Sequence, residues 1–135
     1  MTDNFLKIFD QIKLASKIET YDWISQQVFP TSKEKSYVIK QSLFEREEVG
    51  DIQIEEGVIL PHIENPVIDK TQIWLIRPQQ PIKEWSERIE QVELLIVVLL
   101  AENEKLIVKQ RVADFMRKLA DSDYIADLKA GNFTK

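Results

Sequence analysis

Three observations predict an α+β protein whose mixed β-sheet carries helices on both faces, a three-layer α/β/α arrangement. Val92 to Leu100 is apolar at every position but Glu93, as in a central strand covered on both sides. Two serine or threonine residues stand three positions before a glutamate, Ser16 with Glu19 and Thr31 with Glu34, which is the spacing of a helix-opening capping box. From Asn103 onward the apolar period lengthens from two to between three and four. The resulting order is strand, two helices, three strands, then helices, and only a mixed sheet with helices on both sides buries all of their apolar faces.

Gln11-Ile12-Lys13-Leu14 alternates polar and apolar residues, so a short half-buried strand is expected there. Ser16 then opens a helix whose Ile18, Tyr21, Ile24 and Val28 share a face, and Pro30 ends it. Thr31 opens a second helix running to about Glu47, with Ile39 and Leu43 on its inner face and Tyr37 and Phe44 beside them. Gly50 closes that helix. Asp51 to Leu60 reads as a strand, with Ile52 and Ile54 alternating before the run Gly57-Val58-Ile59-Leu60-Pro61.

A turn containing Asn65-Pro66 and Asp69 follows, and Gln72 to Ile76 is a second strong strand. Pro78 and Pro81 punctuate the next loop, in which Trp85 is expected either to meet a partner or, more ordinarily, to cover its own core. Asn103 is placed to cap a helix with Val108, Val112, Phe115, Met116 and Leu119 on one face. A last short helix is expected from Ser122 to Lys129, before Gly131.

The chain has 135 residues, enough for one domain over residues 1–135 with a core that needs no staples. A net charge of -5 argues against nucleic acid as the main partner, which calls for clustered lysine and arginine. Without cysteine there is no disulfide framework, thiolate zinc site or thiol nucleophile. The N-terminus lacks the pattern of a signal peptide, and the longest apolar run, Leu94 to Ala101, is too short to span a bilayer. A cytoplasmic protein with no direct membrane insertion is expected.

The only histidine, His62, directly follows Pro61. It reads as an imidazole at a strand end, held by the strand and reachable from the loop. By itself such a histidine is a metal ligand, a surface residue or a satisfied core residue, and the last two are the commoner cases. Glu55, Glu56 and Glu64 show no ligand spacing, and no second imidazole exists to complete a metal site. No Gly-x-Ser-x-Gly elbow and no Gly-x-x-x-x-Gly-Lys loop occurs.

Phe44-Glu45-Arg46-Glu47 at a helix end, then Gly57-Val58-Ile59-Leu60-Pro61-His62, a buried strand, and Asn103-Glu104-Lys105 opening a helix form one ordered set. This set resembles the enzyme IIA domains of the fructose–mannitol type from the sugar phosphotransferase system. There an Arg-Glu pair precedes a Gly-x-apolar-x-Pro-His-Gly motif. The resemblance implies that fold and a phosphotransferase acting through a phosphohistidine. His62 would accept the phosphoryl group from the phosphocarrier HPr and pass it to a cysteine of a cognate enzyme IIB, for uptake of a sugar or sugar alcohol.

It further implies that Arg46 stabilises the phosphoryl group and that Lys105, standing where many relatives carry a second histidine, supplies another cation. No cofactor is implied. A regulatory or interaction module of the same fold is the other role that the resemblance leaves open. Two local departures carry expectations of their own. Ile63 replaces the family's glycine and is expected to crowd the site. Glu55 and Glu56, if they face it, are expected to oppose a doubly negative adduct.

Overall fold

In the computed structural model, which describes residues 5–133, strand β8 (Leu94–Leu100) runs through the middle of the sheet and sorts the core into two halves. Successive side chains of a strand point to opposite faces. Leu95, Val97 and Leu99 therefore join one apolar cluster, while Leu94, Ile96 and Val98 join another. Strand β5 (Gln72–Pro78) pairs antiparallel with β8 and divides in the same way: Trp74 and Ile76 go to the first cluster, Ile73 and Leu75 to the second. An apolar residue on each face is why these two stretches lack the polar alternation of a half-exposed strand.

Helices α1 (Lys17–Val28) and α2 (Lys33–Val49) cover the first face through Tyr21, Ile24, Ile39 and Leu43, all fully buried. Helices α3 (Leu106–Lys118) and α4 (Ser122–Lys129) cover the second through Phe115, Ile125 and Leu128. The arrangement is the expected mixed sheet with helices on both faces. Burying side chains of this size contributes on the order of 1.5–3 kcal/mol each, so the two clusters supply most of the folding drive.

The path order is β1 (Leu6–Ile12), β5, β8, β3 (Val58–Ile59) and β2 (Gln53–Glu55), with β4 (His62–Glu64) also pairing β8. β1 runs parallel to β5, β3 and β4 run parallel to β8, and β2 with β3 is antiparallel. A separate two-stranded ribbon joins β6 (Ile82–Lys83) to β7 (Gln91–Val92).

Several sequence expectations move. The first strand starts five residues before the expected Gln11 and ends at Ile12, because pairing with β5 decides its register and locks Asp10 onto Arg77 through a two-pronged ion pair at 2.8 and 3.2 Å. Ser16 does cap α1, its hydroxyl accepting from the Glu19 amide, but Glu19 reaches back to the Ala15 amide. Ile18 points to solvent at 66% exposure, one turn too early to reach the sheet. The second cap is Ser32, not Thr31: its hydroxyl accepts from the Lys35 amide. Tyr37 is exposed.

The single strand expected over residues 51–60 is a hairpin, β2 and β3, turned at Glu56-Gly57 with Gly57 at φ +78. Ile52, just before β2, goes into the core and Ile54 faces solvent, the pairing with β3 shifting register between Gln53 and Glu55. Pro78 closes β5 and does not lie in the loop after it. Asn103 does not cap α3. It adopts a left-handed conformation, φ +58, which asparagine tolerates, and Lys105 takes the cap position with no side-chain bond. Met116 stays at the surface, while α4 spans the expected residues.

Candidate functional site

His62 does not stand beyond a strand end. It opens β4, paired with Val98 of β8, after Pro61 has interrupted the run from β3. The break leaves the Pro61 carbonyl accepting from the Val98 amide at 3.0 Å, so the backbone stays anchored to β8 while the chain changes segment. Strand alternation then separates the neighbours. Ile63 is buried in the cluster under α1 and α2, and His62 remains half-exposed. The expected crowding by Ile63 is absent, because a strand residue next to the imidazole points away from it.

Arg46 reaches this histidine from the last turn of α2, where a cation also suits the helix dipole. Its Nε–H is directed at His62 Nε2 at 3.5 Å, and its Nη1 donates to the Gly50 carbonyl at 3.2 Å, which steadies the fork. The two ring nitrogens differ sharply. Nδ1 is buried with no hydrogen-bond partner, so Nε2 is the nitrogen turned toward the guanidinium and toward anything that docks there.

Burial first, and the Arg46 charge second, lower the His62 pKa below the ordinary histidine value, because both disfavour a cationic ring. The Leu60 carbonyl acts in the opposite sense, without completing a hydrogen bond to Nδ1. Among the described residues, no carboxylate is among the groups that shift the ring's pKa. Glu55 ends β2 and Glu56 opens the β2–β3 turn, where the Glu56 carbonyl accepts from Lys129 of α4. The result is a neutral imidazole near pH 7 with a permanent cation against its reachable nitrogen.

Lys105 is not brought into this pair. Among the described residues it forms neither a hydrogen bond nor an ion pair with His62 or Arg46, and its charge is not among those acting on the ring. It is exposed at the start of α3. The turn before it is pinned by the Glu104 carboxylate, which accepts from the Thr71 hydroxyl at 2.6 Å and the Lys105 amide at 3.0 Å. Those two bonds hold the Glu104 pKa down, the Thr71 contact most strongly.

The sequence pattern includes Glu47 beside Arg46 but assigns it no role of its own. Its side chain, 12% exposed, accepts from the Tyr21 hydroxyl at 2.6 Å, Trp85 Nε1 at 3.0 Å and Lys17 Nζ at 3.1 Å. Trp85 thus covers its own core and is buried. The available signal was the Arg46-Glu47 dipeptide at the end of a helix.

A model of the family described as "Phosphoenolpyruvate-dependent sugar phosphotransferase system, EIIA 2" matches residues 6–135. The chain belongs to this enzyme IIA family. Among curated relatives, a Shigella flexneri multiphosphoryl transfer protein is 26% identical over 97 residues, which are 72% of this chain and 12% of that protein. The enzyme IIA chain thus corresponds to about an eighth of the length of such relatives.

Two of the solved structures that share the fold serve as comparisons. One is the nitrogen regulatory protein IIA-Ntr from Neisseria meningitidis, with TM-score 0.70 and 18% identity over 93% of this chain and 85% of that one. The other is enzyme IIA for mannitol from Escherichia coli, solved as a complex with phosphorylated enzyme IIB. Its TM-score is 0.64 at 19% identity over 100% of this chain and 90% of that one. Among the described residues of this enzyme IIA, no group of three or more His, Cys, Asp or Glu side chains is placed to hold a metal ion. Among those residues, too, no helix is long and apolar enough to cross a membrane.

Proposed function

We propose that this enzyme IIA is a cytoplasmic phosphoryl carrier that receives its phosphoryl group on His62 Nε2 from HPr and hands it to a cysteine of an enzyme IIB during sugar or sugar-alcohol uptake. One observation carries the reading: a neutral imidazole whose only reachable nitrogen lies 3.5 Å from an arginine Nε, its other nitrogen buried. In the first step the Nε2 lone pair attacks phosphorus, a new N–P bond forms, and the bond to HPr breaks with its electron pair leaving on the carrier. In the second the enzyme IIB thiolate attacks the same phosphorus, and His62 departs as a neutral ring.

Arg46 offers a fixed, always-charged fork to the phosphoryl oxygens, whose charge spreads in the transition state. Catalysis of this kind is positioning and charge stabilisation between docked proteins, and it calls on no cofactor. The chemistry is assigned to His62 and Arg46. Lys105 forms no hydrogen bond or ion pair with either, and its part as a second cation is read separately from the labelling rate of Lys105→Ala.

The decisive experiment incubates the protein with phosphoenolpyruvate, enzyme I and HPr and follows intact mass. One acid-labile phosphate that vanishes in His62→Ala and moves on to an enzyme IIB is the expected outcome. Absence of labelling, or labelling unchanged in His62→Ala, refutes the carrier role.

A further inference from the structure

We infer that Glu47 is a positioning residue, its carboxylate fixing the last turn of α2 so that the neighbouring Arg46 guanidinium stays against His62. The inference rests on the phosphoryl-acceptor reading for its kinetic consequence but not for its geometry.

A carboxylate at 12% exposure is costly unless its lone pairs are satisfied, and here three donors from two separate parts of the chain converge on it. Lys17 and Tyr21 belong to α1, whereas Trp85 lies in the loop between β6 and β7. All three are therefore tied through one side chain to the turn that ends at Gly50. The Tyr21 ring packs edge-on against both Phe44 and Trp85, at 5.0 and 5.5 Å, so the donors themselves are held rigidly.

Position gives this staple its function. Arg46 directly precedes Glu47 in the helix, with its Nε–H directed at His62 Nε2 at 3.5 Å and its Nη1 donating to the Gly50 carbonyl at 3.2 Å. A long arginine side chain has many rotamers, and a turn that shifts relative to the sheet carries the fork with it. Misplacing such a group by about 1 Å is enough to cost on the order of a hundredfold in rate.

The test uses the fact that His62 is the only histidine, so its imidazole signals are unambiguous in NMR. In Glu47→Ala, loss of the staple frees Arg46, and the His62 pKa rises toward the ordinary histidine value. The sign is diagnostic, because removing a nearby negative charge would lower a histidine pKa directly. In the Arg46→Ala background the same Glu47→Ala change leaves the titration where it is. Glu47→Gln, which keeps the shape and can still accept from Trp85 and Lys17, brings the titration back toward the native one.

Phosphoryl acceptance from HPr in Glu47→Ala is expected to slow by about tenfold to a hundredfold. A folded Glu47→Ala protein with an unchanged or lowered His62 pKa overturns the inference, whatever the labelling shows. If Glu47→Ala does not fold, Tyr21→Phe carries the test, with a smaller rise expected and no rise overturning it. Absence of labelling in the native protein refutes the carrier role alone and leaves the titration to judge Glu47.

Discussion

Replacing Tyr21 by phenylalanine removes one oxygen atom from the middle of the α1–α2 interface and nothing else. Two effects compete. The ring, fully buried, keeps its contacts with Phe44 and Trp85, and a buried hydroxyl no longer has to be stripped of water. Against that, the 2.6 Å bond to Glu47 disappears, and this bond has an ionised acceptor. Hydrogen bonds to charged groups contribute about 1.5–3 kcal/mol, and orphaning an acceptor costs the desolvation of that oxygen.

Glu47 keeps Lys17 and Trp85 on its other oxygen, so the carboxylate is not abandoned and the lower end of that range applies, about 1.5 kcal/mol. An unfolding entropy of about 2.1 cal/mol/K per residue gives roughly 280 cal/mol/K for a chain of this length, so Tm should fall by about 5 °C. Thermal unfolding followed by tryptophan fluorescence measures it directly, since Trp85 shares the network. A Tm equal to or above that of the native protein refutes the assignment of net stabilisation to the Tyr21–Glu47 bond. The burial that surrounds this hydroxyl, followed by the neighbouring Glu47 charge, raises its pKa far above the ordinary tyrosine value, so the bond should survive alkaline conditions.

Other consequences are equally measurable. Gly57→Ala places a Cβ in a backbone at φ +78 and against the Glu93 side chain; the left-handed conformation alone costs about 1–2 kcal/mol, and an unshifted urea midpoint contradicts it. Ile63→Gly restores the residue usual in the family but empties a core position at 5% exposure, so it should lose about 3 kcal/mol or more in urea titration without faster labelling; a gain in labelling rate would mean that Ile63 does obstruct the site. His62 should also make stability depend on pH. The unfolded chain protonates it near about pH 6.5, the folded protein only at lower pH, so stability declines as pH drops below about 6.5 and this component levels off once the folded-state pKa is passed. His62→Gln should flatten that part of the curve, and identical urea midpoints for both proteins across the interval refute the depressed pKa.

How far the site was legible depended on whether a feature is local. The run from Gly57 to His62 marked out the histidine, and the helix end at Phe44 to Glu47 marked out Arg46. That these two lie 3.5 Å apart is a tertiary fact, set by α2 packing over the sheet so that its last turn overhangs β4. Lys105 stood in the matching order along the chain, yet among the described residues it forms no hydrogen bond or ion pair with either residue. Glu47 was hidden for the complementary reason. One charged residue among four at a helix end looks solvated until Tyr21 and Trp85, 26 and 38 positions away, are folded onto it.

The sequence by itself determined the elements that rest on short-range chemistry. The serine cap of α1, the extent of α4 and the two-sided apolar strand β8 were readable because caps, helical period and strand alternation act within a few residues. Only the tertiary structure decided the register of β1, the hairpin at Gly57, the inward turn of Ile63 and the neutral, arginine-faced state of His62. Each of these depends on which distant backbone supplies the hydrogen bonds and which distant charge and burial a side chain meets, and those are settled by packing.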